Sequence, residues 1–309
     1  MLKKILFAVI SLFLGAMFIF SAYTKLFPIE IFEFSFIEIK VANWTTAPFI
    51  ARIFLSLEFF LGILLLLNWN AGNRLLAKFT IFLLIVFTVY LLAIILFQGN
   101  TGNCGCFGTY IKMTPLESII KNIILISLAS ILLLQSKQDN LSTKKFIILS
   151  GAIASIASPF ILNPISNGHP PHEEEINYRL NLDALYAPQK NAVPSVDLRK
   201  GKRVIAFLSL TCPHCKIGAQ KLNLIHQQNP DLPIYFILNG ETTDLQDFLE
   251  SSKTKDIEYR FMSMQEGFIK NAGINLPAIL WVNDGLVVNR TKYTELEAAE
   301  LIEWYRSKN

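Results

Sequence analysis

The chain is predicted to fold as an α-helical membrane bundle followed by an α/β domain. Five long apolar runs crowd the first half, and the second half alternates short apolar strands with amphipathic helices. A third observation points to chemistry. The four cysteines form two tight pairs, one in each half, and none is left over. Pairs this close suit a disulfide that opens and closes in a cycle better than one that staples distant parts of a fold.

The apolar runs are Ile5–Tyr23, Pro48–Leu67, Leu75–Phe97, Ser118–Leu134 and Phe146–Leu162. Most come close to the ~20 residues needed to cross ~30 Å of hydrocarbon, and the last two are the shortest. Several such runs in succession, with little polar chain between them, argue against buried soluble helices. The first run lacks a small-residue cleavage pattern and continues through Tyr23–Phe27, so a retained helix is expected rather than a signal peptide.

Basic residues set the expected orientation. Lys3 and Lys4, Arg74 and Lys78, and Lys137, Lys144 and Lys145 share one side if all five runs span, and that side is cytoplasmic by the positive-inside rule. The loop Gln98–Pro115, with Cys104 and Cys106, then falls outside. So does everything after Leu162, with Cys212 and Cys215. The expected location is the bacterial inner (cytoplasmic) membrane, multi-pass, with the C-terminal domain on the extracytoplasmic side. That compartment is oxidising and permits disulfide chemistry. The net charge of +4 is accounted for by the inside loops, and no nucleic-acid signature is present.

Residues 1–135 are expected to form a four-helix membrane domain, 136–162 a fifth transmembrane helix, 163–202 a linker and lead-in, and 203–309 the α/β domain. The aromatic loop Pro28–Ala47 is expected to lie at the outer interface. A flexible linker of the expected length spans ~30 Å r.m.s.. His169 and His172 beside Glu173–Glu175 are better read as a solvated linker than as a metal site, and no metal is expected.

In the second half, Val204–Ser209 and Pro233–Leu238 read as strands. Cys212 opens a helix to about His226, and Thr242–Ser252 reads as a helix capped by Thr242 or Thr243. Gly267–Ala272 reads as a short helix. Ala278–Val282 and Leu286–Arg290 form a hairpin around Asn283-Asp284-Gly285, and Thr294–Ser307 is a terminal helix. The order strand, Cys212-Pro213-His214-Cys215 at a helix start, strand, helix, then Leu276-Pro277 before a hairpin resembles the thioredoxin fold. That resemblance implies a cis Pro277 facing the cysteines. Independently of it, Cys212 at the helix N-terminus is the expected nucleophile, because unpaired N–H groups and the helix dipole stabilise a thiolate there. Pro213 occupies the first turn without losing a hydrogen bond, and His214 adds a positive charge when protonated. The Pro-His dipeptide resembles that of DsbA-type oxidases. Two features depart from thioredoxin: Thr211 stands where tryptophan is usual, and the Val204–Leu208 strand carries no acidic residue.

The first pair is Cys104-Gly105-Cys106-Phe107-Gly108, in a glycine-rich loop. Gly105 permits the backbone angles of a Cys-x-Cys ring, and so small a ring is expected to exchange readily. With Ser21–Phe27 ending the first run and Glu58 and Gly62 in the second, residues 1–135 resemble the MauE/DoxX-like family of redox-associated membrane proteins. The family implies work on disulfides of exported proteins, in the context of methylamine dehydrogenase maturation. Glu58, near the middle of its run, and Arg52 and Lys25, nearer the outer end, are intramembrane charges. A structural ion pair and a quinone region at Arg52 and Glu58 both fit them.

The expected function is a membrane-bound thiol-disulfide oxidoreductase acting on exported proteins that carry thiols or disulfides. Electrons are relayed between the two pairs, with a quinone as the acceptor an oxidase needs. This resembles vitamin K epoxide reductase and DsbB. No cysteine lies in the cytoplasmic loops to carry electrons inward, which favours oxidation or isomerisation over reduction. The other reading is a maturation or assembly factor that binds a client without being a redox enzyme. The expected partners are therefore exported proteins, membrane lipid and a quinone.

Overall fold

A computed structural model describes residues 2–67, 74–100, 104–108, 110–135, 145–165, 176–186, 194–254 and 256–307. His169, His172, Glu173–Glu175, Lys137 and Lys144 lie outside them. The chain divides into two compact units, Met1–Ile165 and Ser166–Asn309.

The first unit is helical. Helices α1 (Leu2–Leu26), α3 (Ala47–Leu67), α4 (Arg74–Gln98) and α5 (Pro115–Gln135) are each long and apolar enough to cross a membrane. Helix α6 (Lys145–Leu162) is shorter: its 18 residues span about 27 Å at 1.5 Å per residue. Helix α1 packs on α3, α4 on α5, and α6 on α3. At the α1–α3 crossing, Gly15 and Gly62 let the backbones close up, since a Cβ on Gly62 would lie 3.0 Å from the Gly15 carbonyl. Leu14, Phe18, Leu61, Leu65, Leu84 and Ala129 fill the interior. Phe82, Val89, Leu96, Leu134 and Ile161 face outward. Apolar side chains exposed over a whole bundle are what a protein needs whose solvent is lipid.

Polar contacts fix the end of the bundle where α1 stops and α3 starts. Arg52 is 3% exposed and pairs with Glu33 at 2.5 Å. It also donates to the carbonyls of Asn163 (2.8 Å and 3.0 Å) and Pro48 (2.8 Å). Asn163 in turn donates to the Leu26 carbonyl at 3.0 Å. The chain therefore leaves α6 at the same end of the bundle as Leu26.

The segment between α1 and α3 differs from expectation. It contains a helix, α2 (Glu30–Glu38), whose Phe32, Phe34, Phe36 and Ile37 are all buried. Phe36 stacks on Phe54 at 5.7 Å and meets Tyr90 at 5.2 Å. Burial all round distinguishes a helix packed into the bundle from one floating on its surface.

The second unit is a five-stranded sheet of order β3-β2-β1-β4-β5, with β1 Lys202–Ser209, β2 Ile234–Asn239, β3 Tyr259–Phe261, β4 Ala278–Asn283 and β5 Leu286–Thr291. Strands β1, β2 and β3 are parallel, and β4 and β5 are each antiparallel to their inner neighbour. The central β1 is buried on both faces, as its unbroken run Val204–Leu208 requires. Helices α7 (Pro213–Gln228), α8 (Leu245–Ser252), α9 (Phe268–Ala272) and α10 (Ala298–Arg306) complete the unit.

Three details correct the sequence reading. Thr242–Asp244 is a 3₁₀ turn, and neither threonine caps α8. The terminal helix starts at Ala298 rather than Thr294. The lead-in is folded onto the sheet: Leu180, Leu182, Leu185 and Leu198 are buried against Ile205, Phe207 and Leu280. Its backbone extends the β5 edge through Val287 N–H to the Tyr178 carbonyl (2.9 Å) and Leu180 N–H to the Gly285 carbonyl (3.0 Å). Among the described residues, the packing of this unit thus begins before Arg203, in the expected lead-in.

Candidate functional sites

Each unit holds one cysteine pair, and both pairs are dithiols in this structure. In the soluble unit, β1 delivers the chain to a turn closed by Cys212 N–H to the Ser209 carbonyl at 3.2 Å. Cys212 is the N-cap of α7 and Pro213 its first residue, where proline's missing N–H costs nothing. Cys212 is half-buried, and Cys215, one turn on, is fully buried. Burial pushes the Cys215 thiol well above its ordinary range, opposed by the Ser209 N–H that points at its sulfur from 3.4 Å. The asymmetry fits an accessible attacking sulfur and a protected resolving one.

The Leu276–Pro277 bond is cis. Pro277 packs against α7 at Gly218, where a Cβ would sit 3.1 Å from its Cγ. His214 is exposed and leans on Tyr293, with ring centroids 5.9 Å apart. Between them opens a groove of about 300 Å³, bordered by Pro277, Thr291 and Lys292. His214, two residues after Cys212, forms part of its wall.

In the membrane unit, the loop with Cys104 and Cys106 lies on the bundle end. Gly105 and Gly108 have φ of +70° and +57°, in the left-handed region that favours glycine. Gly108 rests directly on α1: a Cβ there would lie 1.9 Å from the Thr24 carbonyl oxygen. Gly108→Ala is therefore expected to lift the loop. Stability should fall by about 1–3 kcal/mol, and Cys104 should become open to alkylation. Unchanged thermal unfolding and unchanged Cys104 protection would contradict this contact.

Helix α5 begins immediately after the loop with a reciprocal cap. Glu117 accepts from Thr114 N–H at 2.7 Å, and Thr114 Oγ1 accepts from Glu117 N–H at 3.3 Å. One turn of this helix brings Ser118 to 3.0 Å from the Cys104 sulfur. Cys104 is 5% exposed and Cys106 half-buried. The Cys104 thiol is pushed far up by its hydrogen bond to Cys106 and by burial. The Cys106 thiol is held below its ordinary range, first by that hydrogen bond and then by Lys121 and Lys25.

Beneath the pair runs a buried polar network. Lys25 donates to Glu58 Oε1 at 2.6 Å and to Ser21 Oγ at 2.9 Å. Its ammonium sits over the Phe87 and Phe32 rings, at 4.8 Å and 5.3 Å. The Ser21 hydroxyl lies 3.3 Å from the Cys106 carbonyl, which links the network to the loop. Lys121 reaches over the Phe107 ring at 4.4 Å. A cavity of about 30 Å³ is lined by Lys25, Glu58, Lys121, Tyr90 and both cysteines. That volume holds a water or two and is too small for a quinone ring. Arg52 is not on this cavity. It serves the α2–α3–α6 clamp, so Arg52 and Glu58 belong to separate ion pairs. Among the described residues, no group of three or more His, Cys, Asp or Glu is placed to hold a metal.

All four cysteines and the charges Lys25 and Glu58 were legible in the sequence. The pairing of those charges was not, nor were the roles of Lys121 and Ser118. Their signal was faint: a helix-period offset from Ser118 to Lys121 inside an apolar run.

The loop pair, set on helices α1, α3, α4 and α5, is the feature that residues 1–135 were expected to share with a known membrane family. Residues 3–135 match the family model of the methylamine utilisation protein MauE. The match ends where α5 ends, so α6 and the soluble unit lie beyond the MauE-like part. A curated relative covers both units: Protein TlpB of Flavobacterium psychrophilum is 29% identical over 287 residues, 76% of this chain and 77% of TlpB.

Solved structures that resemble the chain include three thiol-disulfide proteins. One is the thioredoxin domain of a thiol-disulfide oxidoreductase from Bacteroides vulgatus (TM-score 0.30, 13% identity, 35% of this chain and 81% of that one). Another is a thiol:disulfide interchange protein from Bacteroides sp. (0.31, 14%, 43% and 86%). The third is a secreted disulfide oxidoreductase from Mycobacterium tuberculosis (0.27, 16%, 33% and 77%). The soluble unit is thioredoxin-like by its own sheet order and by the placement of Cys212 and Pro277. The chain thus joins a MauE-like helical unit to a thioredoxin-like unit, and Protein TlpB is similar to it over both.

Proposed function

We propose that this protein exchanges disulfides with exported proteins through Cys212 and Cys215, and that Cys104 and Cys106 reset that pair. The observation that carries the reading is the repetition of one arrangement on two units: a half-buried cysteine two or three residues from a buried one, twice on one chain. Because both pairs share a chain, their meeting is intramolecular, with an effective concentration in the millimolar range. The exit of α6 at the bundle end that holds the loop supports α6 as a fifth span. It also supports both pairs facing the same extracytoplasmic compartment of a bacterial inner membrane. Residues 136–162 then carry the chain across, and the folded soluble unit takes up most of the remaining residues.

The direction we favour is oxidation or isomerisation of clients. Electrons would pass from client thiols to Cys212–Cys215, then to Cys104–Cys106. A quinone is the natural acceptor from there. The small cavity beneath the loop requires it to approach from the lipid side rather than bind inside the bundle. The alternative, an assembly factor of the methylamine-utilisation kind, is supported by the MauE match. Replacing Cys212 and Cys215 together distinguishes the two, since a scaffold keeps working and an exchange enzyme stops. Membrane-impermeant thiol labelling in intact cells tests the shared side: both pairs are expected to label, and labelling of only one removes the relay.

A further inference from the structure

We propose that Lys121 is the charge partner of Cys106, a positioning residue that makes Cys106 rather than Cys104 the exchanging sulfur of the loop pair. This rests on the exchange reading above and assigns the roles within it.

Charge inside the small cavity decides between the two sulfurs. The groups that face it are Lys25 and Ser21 from α1, Glu58 from α3, Tyr90 from α4, Lys121 from α5, and the two cysteines from the loop. Lys25 and Glu58 balance each other's charge through Glu58 Oε1 at 2.6 Å, while the buried Glu58 Oε2 has no hydrogen-bond partner. Lys121 then brings a positive charge that this ion pair does not offset. An uncompensated ammonium in a site this buried is costly, and a thiolate on Cys106 cancels it. Cys104 is badly placed for that role, because it is 5% exposed and its thiol shares a hydrogen bond with Cys106 that keeps it protonated, which outweighs the donors that Ser118 (3.0 Å) and the Cys106 N–H (3.4 Å) turn toward its sulfur. Cys106 lies next to Phe107, whose ring carries the Lys121 ammonium 4.4 Å above it. The Cys106 thiol is lowered most by its hydrogen bond with Cys104, and Lys121 is the largest of the charges that lower it further.

The exchange step balances. The Cys106 thiolate attacks one sulfur of a protein disulfide R–S–S–R′, forming Cys106–S–S–R and releasing R′–S⁻. Cys104 then loses its proton to the departing R–S⁻ and attacks the Cys106 sulfur. The products are the Cys104–Cys106 disulfide, R–SH and R′–S⁻. Two electrons pass from the loop pair to the incoming disulfide. Run backward, the same step begins with a thiolate attacking Cys106.

The test uses the full-length protein, reduced, in detergent, and alkylated with iodoacetamide across pH. Mass spectrometry reads Cys104 and Cys106 separately. Cys106 is expected to react first, with its midpoint below that of an ordinary thiol. Lys121→Met is expected to slow Cys106 alkylation about tenfold at neutral pH and move its midpoint up, and Lys121→Arg to restore it. Glu58→Gln removes a negative charge from the same cavity and is expected to move the midpoint down. General damage to the fold shifts both variants the same way, whereas the charge account requires opposite shifts. The equilibrium of the loop disulfide with glutathione provides a second readout. Loss of thiolate stabilisation in Lys121→Met should disfavour the dithiol about tenfold, or ~30 mV. Cys104 reacting first, or a Cys106 profile indifferent to Lys121→Met, overturns the assignment. Neither outcome depends on clients or on the soluble unit, so this inference and the relay fail separately.

Discussion

Cys215→Ala is expected to stop turnover and leave the protein covalently joined to its clients. The cause is geometric. Cys212 caps α7, half-exposed, and can still form the first mixed disulfide. Cys215 is fully buried directly behind it, and when Cys212 has attacked a client disulfide, the isomerising direction, the Cys215 sulfur is the protein's own route out of the mixed disulfide. Without it the intermediate has no intramolecular exit. Non-reducing electrophoresis should show high-mass species that collapse on reduction, and mass spectrometry of them names the clients. Cys212→Ala should give no such species. If Cys212→Ala traps clients and Cys215→Ala does not, the roles are reversed.

Arg52→Met is expected to cost about 3–5 kcal/mol of stability, the range for stranding one partner of a buried ion pair. The change leaves the Glu33 carboxylate without its guanidinium and frees the Asn163 carbonyl that ties the end of α6 to α3. Thermal unfolding in detergent reads the loss. Arg52→Met with Glu33→Leu should recover part of it, because no charge is then stranded. A single variant as stable as the parent would mean that the clamp contributes nothing. The same variant separates architecture from chemistry: Cys106 alkylation should be far less affected by Arg52→Met than by Lys121→Met.

The elements set by short-range pattern were legible in the sequence. The apolar runs became α1, α3, α4, α5 and α6. The strand Val204–Ser209 and the helix opened by Cys212-Pro213 came out nearly as read, because cap, proline and strand period all act locally. The elements that were not legible depended on long-range partners. The aromatics of Glu30–Glu38 look amphipathic until Phe54 and Tyr90 are known to cover them. Leu180, Leu182 and Leu185 lie among prolines and acids, so they read as a linker until β5 offers an edge. Strand β3 is three residues with an arginine at its centre, too short to show a period.

The candidate sites divided the same way. The cysteines and glycines announce themselves by spacing. Whether Lys25 and Arg52 were partners of Glu58 could be decided only by seeing which helix faces meet, and Arg52 turned out to serve α6 instead. Lys121 carries no motif at all. α5 starts where the cysteine loop ends, and nearly two turns of helix bring Lys121 over the Phe107 ring.

Direct exchange between the two pairs, through a mixed disulfide between Cys106 and Cys212, is the step on which the proposed function stands. Removing the resolving sulfur of each pair, as Cys104→Ala with Cys215→Ala, should freeze that intermediate. A protease site inserted between the two units then lets a non-reducing gel decide. The membrane and soluble fragments are predicted to stay joined after cleavage and to separate on reduction, with Cys106 linked to Cys212. Fully separated fragments in this variant and in every single-cysteine variant, with both pairs shown to be redox-active, would contradict the relay and leave two independent sites on one chain.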